Sequence, residues 1–115
     1  MTKSRNKLIE LFISNITNSV IHKVLEKAID NSEIAQRYEK EMLNSFTIAM
    51  KYREQINPIN KQLADKDIEI IQNKIIRKTK SELLHRINKG YTGINLTLVE
   101  KITEEELKKA KVIKE

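Results

Sequence analysis

The sequence has 115 residues, a net charge of +6, 33% charged residues and 39% hydrophobic residues, and it contains no cysteine. A chain of this length forms one domain with a modest core, and the lack of cysteine excludes disulfides, thiolate zinc sites and cysteine nucleophiles. Two glycines and one proline supply too few turn residues for an all-β fold. We therefore predict a single helical domain over residues 1–115.

The first predicted helix begins near Ser4 and extends to about Asp30. Apolar residues recur every fourth position from Leu8 to Ala28, which is a helical spacing. Because a stripe of this period drifts around a straight helix, the helix either packs on more than one neighbour or is interrupted. Residues 15–19 contain several residues of weak helix propensity, so the second alternative would place the interruption there.

The second predicted helix covers about residues 33–56. Asn31 and Ser32 precede it and are residue types that cap the free amides of a first helical turn. The dipeptide Asn57-Pro58 follows, and proline disfavours a helical conformation at the residue before it. We expect a kink or a short turn there, not a domain boundary.

The third predicted helix covers about residues 59–89, and Gly90 is suited to end it because glycine adopts positive φ without strain. Apolar and polar residues alternate over residues 94–99, which predicts a short extended segment. Thr103 and the three glutamates after it form a capping box. We therefore expect a small final helix over about residues 104–111.

These elements predict a mainly α fold: an antiparallel bundle of long helices with a short extended segment and a small C-terminal helix. The apolar rows are broad for so few helices, so we expect a homodimer. No secretion signal follows the basic N-terminus, and no apolar run approaches the ~20 residues of a membrane span. We expect a cytoplasmic location and no membrane contact.

The most informative functional feature is a concentration of positive charge on the third helix. Residues 74–89 contain six cations and one acid, Glu82, and such concentrated charge favours an anionic partner. On a helical projection, side chains that donate hydrogen bonds gather opposite the isoleucine row. They are Lys74, Arg77, Lys78, Ser81, His85, Asn88 and Lys89.

Two other interpretations of this helix face stay open. A lysine-rich helix can present a solvated face with no partner, and an acidic protein can also bind such a face. Five aromatic residues in the whole chain are too few for a platform that stacks single-stranded bases. Binding driven by phosphate contacts and shape, with DNA or RNA as the partner, fits the composition better than sequence-specific recognition.

The sequence disfavours catalysis and metal binding. Glu82 and His85 have the Glu-x-x-His spacing of carboxylate-bridged metal bundles, but those bundles use the motif twice, and it occurs once here. Arg77 and His85 lie eight residues apart, about 12 Å along a helix, which is too far to hold one phosphate in a nuclease. We expect no metal, no cofactor and no small-molecule substrate.

The leading hypothesis is a non-enzymatic nucleic-acid-associated protein that contacts phosphates through one helix face. The residues assigned to this contact are Lys74, Arg77, Lys78, His85 and Lys89. The alternative is a helical protein–protein interaction module, or a small subunit of a larger complex, without direct nucleic-acid contact. An enzyme is the third hypothesis.

Overall fold

The computed structural model describes residues 4–29, 32–58 and 61–113, which form four α-helices and contain no strand. The helices are α1, Arg5–Lys27; α2, Ser32–Ile56; α3, Asp65–Asn88; and α4, Leu98–Lys109. The predicted mainly α class is therefore confirmed. None of the helices in these ranges is both long and apolar enough to cross a membrane.

Helix α1 is the centre of the structure. It packs against α2, α3 and α4, and α3 also packs against α4, whereas α2 lies against α1 alone among these helices. The drifting apolar stripe explains this position, because buried α1 side chains such as Phe12, Ile13 and Val20 point to more than one side. The helix begins next to Ser4, as predicted, and Ser4 caps it: its hydroxyl accepts a hydrogen bond from the Lys7 amide at 3.2 Å.

The predicted interruption at residues 15–19 is wrong, since α1 is continuous from Arg5 to Lys27. Two polar side chains in this stretch form hydrogen bonds that are compatible with the helix. Asn15 Nδ2 donates to the Leu11 carbonyl at 2.9 Å, and the fully buried Ser19 donates from Oγ to Glu106 Oε1 of α4 at 3.0 Å. Weak propensity costs only tenths of a kcal/mol per residue, so these contacts and the surrounding burial outweigh it.

Helices α1 and α3 run in the same direction. Two ion pairs join them, Arg5 with Asp67 and Glu10 with Lys74, and the paired positions advance together along both helices. The side of α3 that faces the core carries Ile71, Ile75, Thr79 and Leu83, which are all fully buried. This spacing of four residues follows one helical face.

Helix α3 begins at Asp65, six residues later than predicted. Residues 61–64 have no regular structure, and Asp65 and Asp67 then lie in the first turn, where carboxylates stabilise the positive end of the helix dipole. The end of the helix follows the prediction. Gly90 has φ of +104°, and the Gly90 and Tyr91 amides donate to carbonyls of the last turn, as in a Schellman motif.

The C-terminal part differs from the prediction in its boundaries. Helix α4 begins at Leu98, so the last two residues of the predicted extended segment 94–99 are helical, and the others lie in irregular and turn structure. Thr103 is not a cap but a buried residue inside the helix. Val99, Ile102 and Leu107 are buried at helical spacing, and this burial extends the helix toward its N-terminus beyond the capping box.

A buried arginine joins the ends of three segments. Arg53 of α2 is 0% exposed, and its two terminal nitrogens donate to Asn57 Oδ1 at 2.6 Å, to the Lys111 carbonyl at 2.9 Å and to the Lys61 carbonyl at 3.2 Å. Burial lowers the pKa of the guanidinium below its usual value. Within the described residues, this cation donates to carbonyl and amide oxygens, and these bonds link α2, the connection to α3 and the end of α4.

Candidate nucleic-acid interface

Four of the five predicted contact residues lie exposed on α3. Arg77, Lys78, His85 and Lys89 are exposed, and they lie away from the buried row that faces α1. Lys74 is only partly exposed because it lies at the edge where α3 meets α1. The helix thus presents most of the predicted set to solvent and directs its apolar row inward.

Lys74 differs from the others because a carboxylate already neutralises it. Its Nζ donates to Glu10 Oε1 of α1 at 2.6 Å. This hydrogen bond holds the pKa of the Glu10 carboxyl below its usual value, and the charges of Lys74 and Lys78 act in the same direction. A phosphate at Lys74 has to compete with Glu10, so Lys74 is a weaker candidate than the sequence indicates.

Two further cations of residues 74–89 also have carboxylate partners. Lys80 Nζ donates to Glu100 Oε1 of α4 at 2.8 Å, and Arg86 Nε lies 3.4 Å from Glu82 Oε1. The hydrogen bond from Lys80 lowers the pKa of Glu100. These pairs leave only part of the local charge available for an external anion.

Three of the six cations of residues 74–89 form no ion pair with any carboxylate in the described ranges: Arg77, Lys78 and Lys89. Arg77 of α3 and Lys89, the residue that follows its last turn, lie twelve positions apart, or about 18 Å at 1.5 Å per residue. Ser81 and His85 are exposed between them. We call these five residues the basic face. Arg77, Lys78 and Lys89 carry positive charge, and all five side chains carry hydrogen-bond donors, which phosphate oxygens accept.

An open cleft lies between α1 and α3 beside the basic face. Its volume is about 400 Å³, and Lys78 belongs to both the cleft and the basic face. The polar lining residues are Thr17, Asn18, His22, Lys78, Glu82 and Arg86. Three buried atoms among them, Thr17 Oγ1, His22 Nδ1 and Arg86 Nε, have no hydrogen-bond partner in the described part of the protein.

His22 stands at one side of this cleft in a partly buried position. Its ring stacks on Tyr38 of α2 with centroids 5.5 Å apart, and Nδ1 lies 3.5 Å from Glu41 Oε2. Burial lowers the pKa of His22, Glu41 opposes that shift and Arg86 adds to it. The imidazole is therefore neutral over a wider pH range than a free histidine.

The structure places Glu82 and His85 in different surroundings. Glu82 faces Arg86, and His85 is exposed on the basic face. The described residues contain no cluster of three or more side chains able to hold a metal ion.

The cleft was not predicted from the sequence, although the spacing of its α3 residues was visible there. Lys78, Glu82 and Arg86 are spaced by four residues and must share one edge of α3. The spacing does not reveal which α1 residues lie opposite that edge, because this depends on the register between the two helices.

No family model matches the sequence, and no similar curated protein or solved structure was found. A functional conclusion therefore depends on the chemistry of the residues themselves.

Proposed function

We propose that the protein binds the phosphate backbone of nucleic acid through the basic face of α3, without catalysing a reaction. The observation that supports this proposal is a row of three exposed cations along about 18 Å of one helix face, none of which is paired with a carboxylate among the described residues. Arg77, Lys78 and Lys89 supply the charge, and Ser81 and His85 add hydrogen-bond donors between them. Lys74 lies beside the face and contributes when a phosphate displaces Glu10.

The basic face favours backbone contact over base recognition. Phosphate contacts depend on charge and position, whereas sequence is read by side chains that enter a groove and bond base edges. The unpaired cations lie along one surface helix, and a duplex of either DNA or RNA offers closely spaced phosphates to such a row. We therefore propose binding with little sequence preference.

The test compares two double charge reversals with equal effects on net charge. Arg77→Glu/Lys89→Glu changes the basic face, and Arg37→Glu/Lys40→Glu changes two exposed cations of α2. Fluorescence anisotropy with a labelled 20-base-pair duplex, repeated at several salt concentrations, measures affinity and its salt dependence. For the parent protein we expect log Kd to rise by about 2.7 per tenfold increase in salt, from three contacts at about 0.9 each.

We expect the α3 variant to bind at least tenfold more weakly and to lose about 1.8 of that slope, since two contacts are removed. The α2 variant should retain most of the slope because its charges lie on another helix. Equal effects of the two variants would show that the basic face is not the binding surface. Circular dichroism spectra of both variants check that helical content is unchanged.

A protein partner is the second candidate, and a different surface favours it. Leu84 is 47% exposed and lies with Leu96 in a groove that Lys80 and Glu100 border.

We retain three expectations with this candidate as proposals: antiparallel packing of α2, a homodimer and a cytoplasmic location. Sedimentation equilibrium over a hundredfold range of concentration tests the homodimer, and a constant monomer mass rejects it.

A further inference from the structure

Tyr91 is the most exposed aromatic residue of the protein. It is 50% exposed, whereas the other four aromatic residues are buried or partly buried: Phe12, Tyr38, Phe46 and Tyr52. Aromatic rings have a large apolar area and are usually covered in a core or an interface. Tyr91 also follows Lys89, the last residue of the basic face, by two positions. An exposed ring at this place is therefore a candidate for contact with the partner of the basic face.

The turn that carries Tyr91 is attached to two helices. Gly90 has a φ of +104°, and the Tyr91 amide donates to the Arg86 carbonyl at 3.1 Å, which joins the turn to the end of α3. Gly93 lies against the end of α1, where a Cβ atom at position 93 would be 3.3 Å from the Ala28 carbonyl oxygen. The backbone on both sides of Tyr91 is therefore held in place, and a ligand that packs on this ring orders little additional chain.

Arg86 occupies one face of the Tyr91 ring. Its guanidinium carbon lies over the ring, 6.0 Å from the centroid, which is the outer limit of a cation–π contact. Arg86 Nε also lies 3.4 Å from Glu82 Oε1, so a second residue of α3 helps to place the guanidinium. Since half of Tyr91 is exposed, the ring face opposite Arg86 is the one that a flat ligand covers.

The ring lies beside the cations at the end of the basic face. Lys89 and Arg86 are three positions apart and are therefore neighbours on the helix surface, and the ring is next to Arg86. His85 and Lys89 are both exposed in this part of the protein. A strand with a phosphate at Lys89 therefore brings its next nucleotide toward Tyr91.

We propose that Tyr91 stacks on one unpaired base of a nucleic acid whose phosphates contact the basic face. This inference rests on the proposed function for the phosphate contacts and adds the kind of nucleic acid, a duplex that continues into an unpaired nucleotide. Bases inside a duplex are stacked on one another, whereas an unpaired base has a free face. One ring cannot bind a run of bases, but it stacks on a single base of any type, which agrees with the low sequence preference proposed above.

The experiment follows a fluorescent base, 2-aminopurine, whose emission falls as its stacking increases. The base is placed as a one-nucleotide extension at the 3′ end or at the 5′ end of a ten-base-pair duplex, because either strand direction is compatible with the basic face. The same base paired with thymine at a blunt end is the control. Titration with excess protein gives the affinity at the labelled base itself.

Three variants separate the ring from other effects. Tyr91→Ala removes the ring, and Tyr91→Phe retains it. Leu84→Ala is the matched control, because Leu84 is also an exposed apolar residue but lies in the groove beside α4. Circular dichroism spectra check that all three variants keep the helical content of the parent.

We expect the parent, Tyr91→Phe and Leu84→Ala to give saturable quenching at one of the two extensions. Tyr91→Ala should bind that extension about tenfold more weakly, since stacking on one aromatic ring contributes a factor of this order, and should bind the blunt duplex as the parent does. The inference is overturned if Tyr91→Ala binds the extension as tightly as the parent, or if it weakens binding of the blunt and extended duplexes equally.

The two proposals fail separately. Salt-dependent binding of the blunt duplex that Arg77→Glu/Lys89→Glu weakens, without quenching at either extension, rejects the stacking on Tyr91 alone. Quenching that depends on Tyr91 but is unchanged by salt and by Arg77→Glu/Lys89→Glu rejects the basic face alone as the phosphate-binding surface.

Discussion

Replacement of Arg53 by methionine tests whether a buried cation stabilises this fold. The change keeps an unbranched side chain of similar length but removes donors to Asn57, Lys61 and Lys111. The two shortest bonds, 2.6 and 2.9 Å, contribute about 1–1.5 kcal/mol each, and acceptors left without a partner add a further cost. We expect the free energy of unfolding to fall by about 3 kcal/mol.

The opposing effect is the desolvation of the guanidinium, which methionine avoids. Buried ion pairs are often replaced by apolar residues without loss of stability, so the sign of this change is informative. Here the acceptors are carbonyl and amide oxygens at segment ends, including one just beyond the C-terminus of α4, where the helix dipole is negative. These oxygens remain after the replacement and lose their donors, which is why we expect destabilisation.

The assay is urea unfolding followed by circular dichroism at 222 nm, together with thermal melts. A loss of about 3 kcal/mol corresponds to a melting temperature about 10–15 °C lower for a chain of this size. Arg37→Met on the exposed side of α2 is the control and should change stability by less than about 0.5 kcal/mol. If Arg53→Met is as stable as the parent, the hydrogen bonds of Arg53 do not outweigh its desolvation and the reasoning is refuted.

Three further changes test other parts of the structure. Ser19→Ala removes the donor to the buried Glu106 and should lower the free energy of unfolding by about 1–3 kcal/mol; urea unfolding measures it, and an unchanged midpoint contradicts it. His22 has a lowered pKa in the fold, so the unfolded state takes up the proton first, and stability should fall as pH drops below about 6.5. His22→Phe should reduce this pH dependence in melts between pH 7.5 and 5, with His85→Asn as the control. Lys111 has φ of +61°, so Lys111→Gly should relieve backbone strain and raise stability by about 0.5–1 kcal/mol; a lower melting temperature contradicts this.

The sequence predicted helices well where local signals agree with packing. Ser4 and Gly90 mark real helix ends because capping and positive φ depend on residues close in the chain. The predictions of helix bounds and continuity are wrong where contacts between residues far apart in the chain determine the structure. The continuity of α1 depends on the contact of Ser19 with Glu106, which lies 87 positions away.

The candidate site was also predicted only in part, because some of its contacts join residues far apart in the chain. Helical spacing correctly separates the exposed side of α3 from its buried row. The pairing of Lys74 with Glu10 joins residues 64 positions apart, and no local pattern in the sequence indicates it. The burial of Arg53 could have been predicted from its spacing, because it lies four residues after the buried Ala49 on the apolar side of α2. Charged residues are seldom fully buried, so the charge of Arg53 argues against that prediction.

The central place of α1 has a consequence for how the protein is made. Of the four helices, α1 leaves the ribosome first, and it is the one that contacts all the others. Each later helix therefore finds α1 already synthesised, although α3 also packs against α4, which follows it in the chain. The apolar sides of α1 become fully covered only when α4 is made, so the incomplete chain is open to aggregation until the last helix packs onto it.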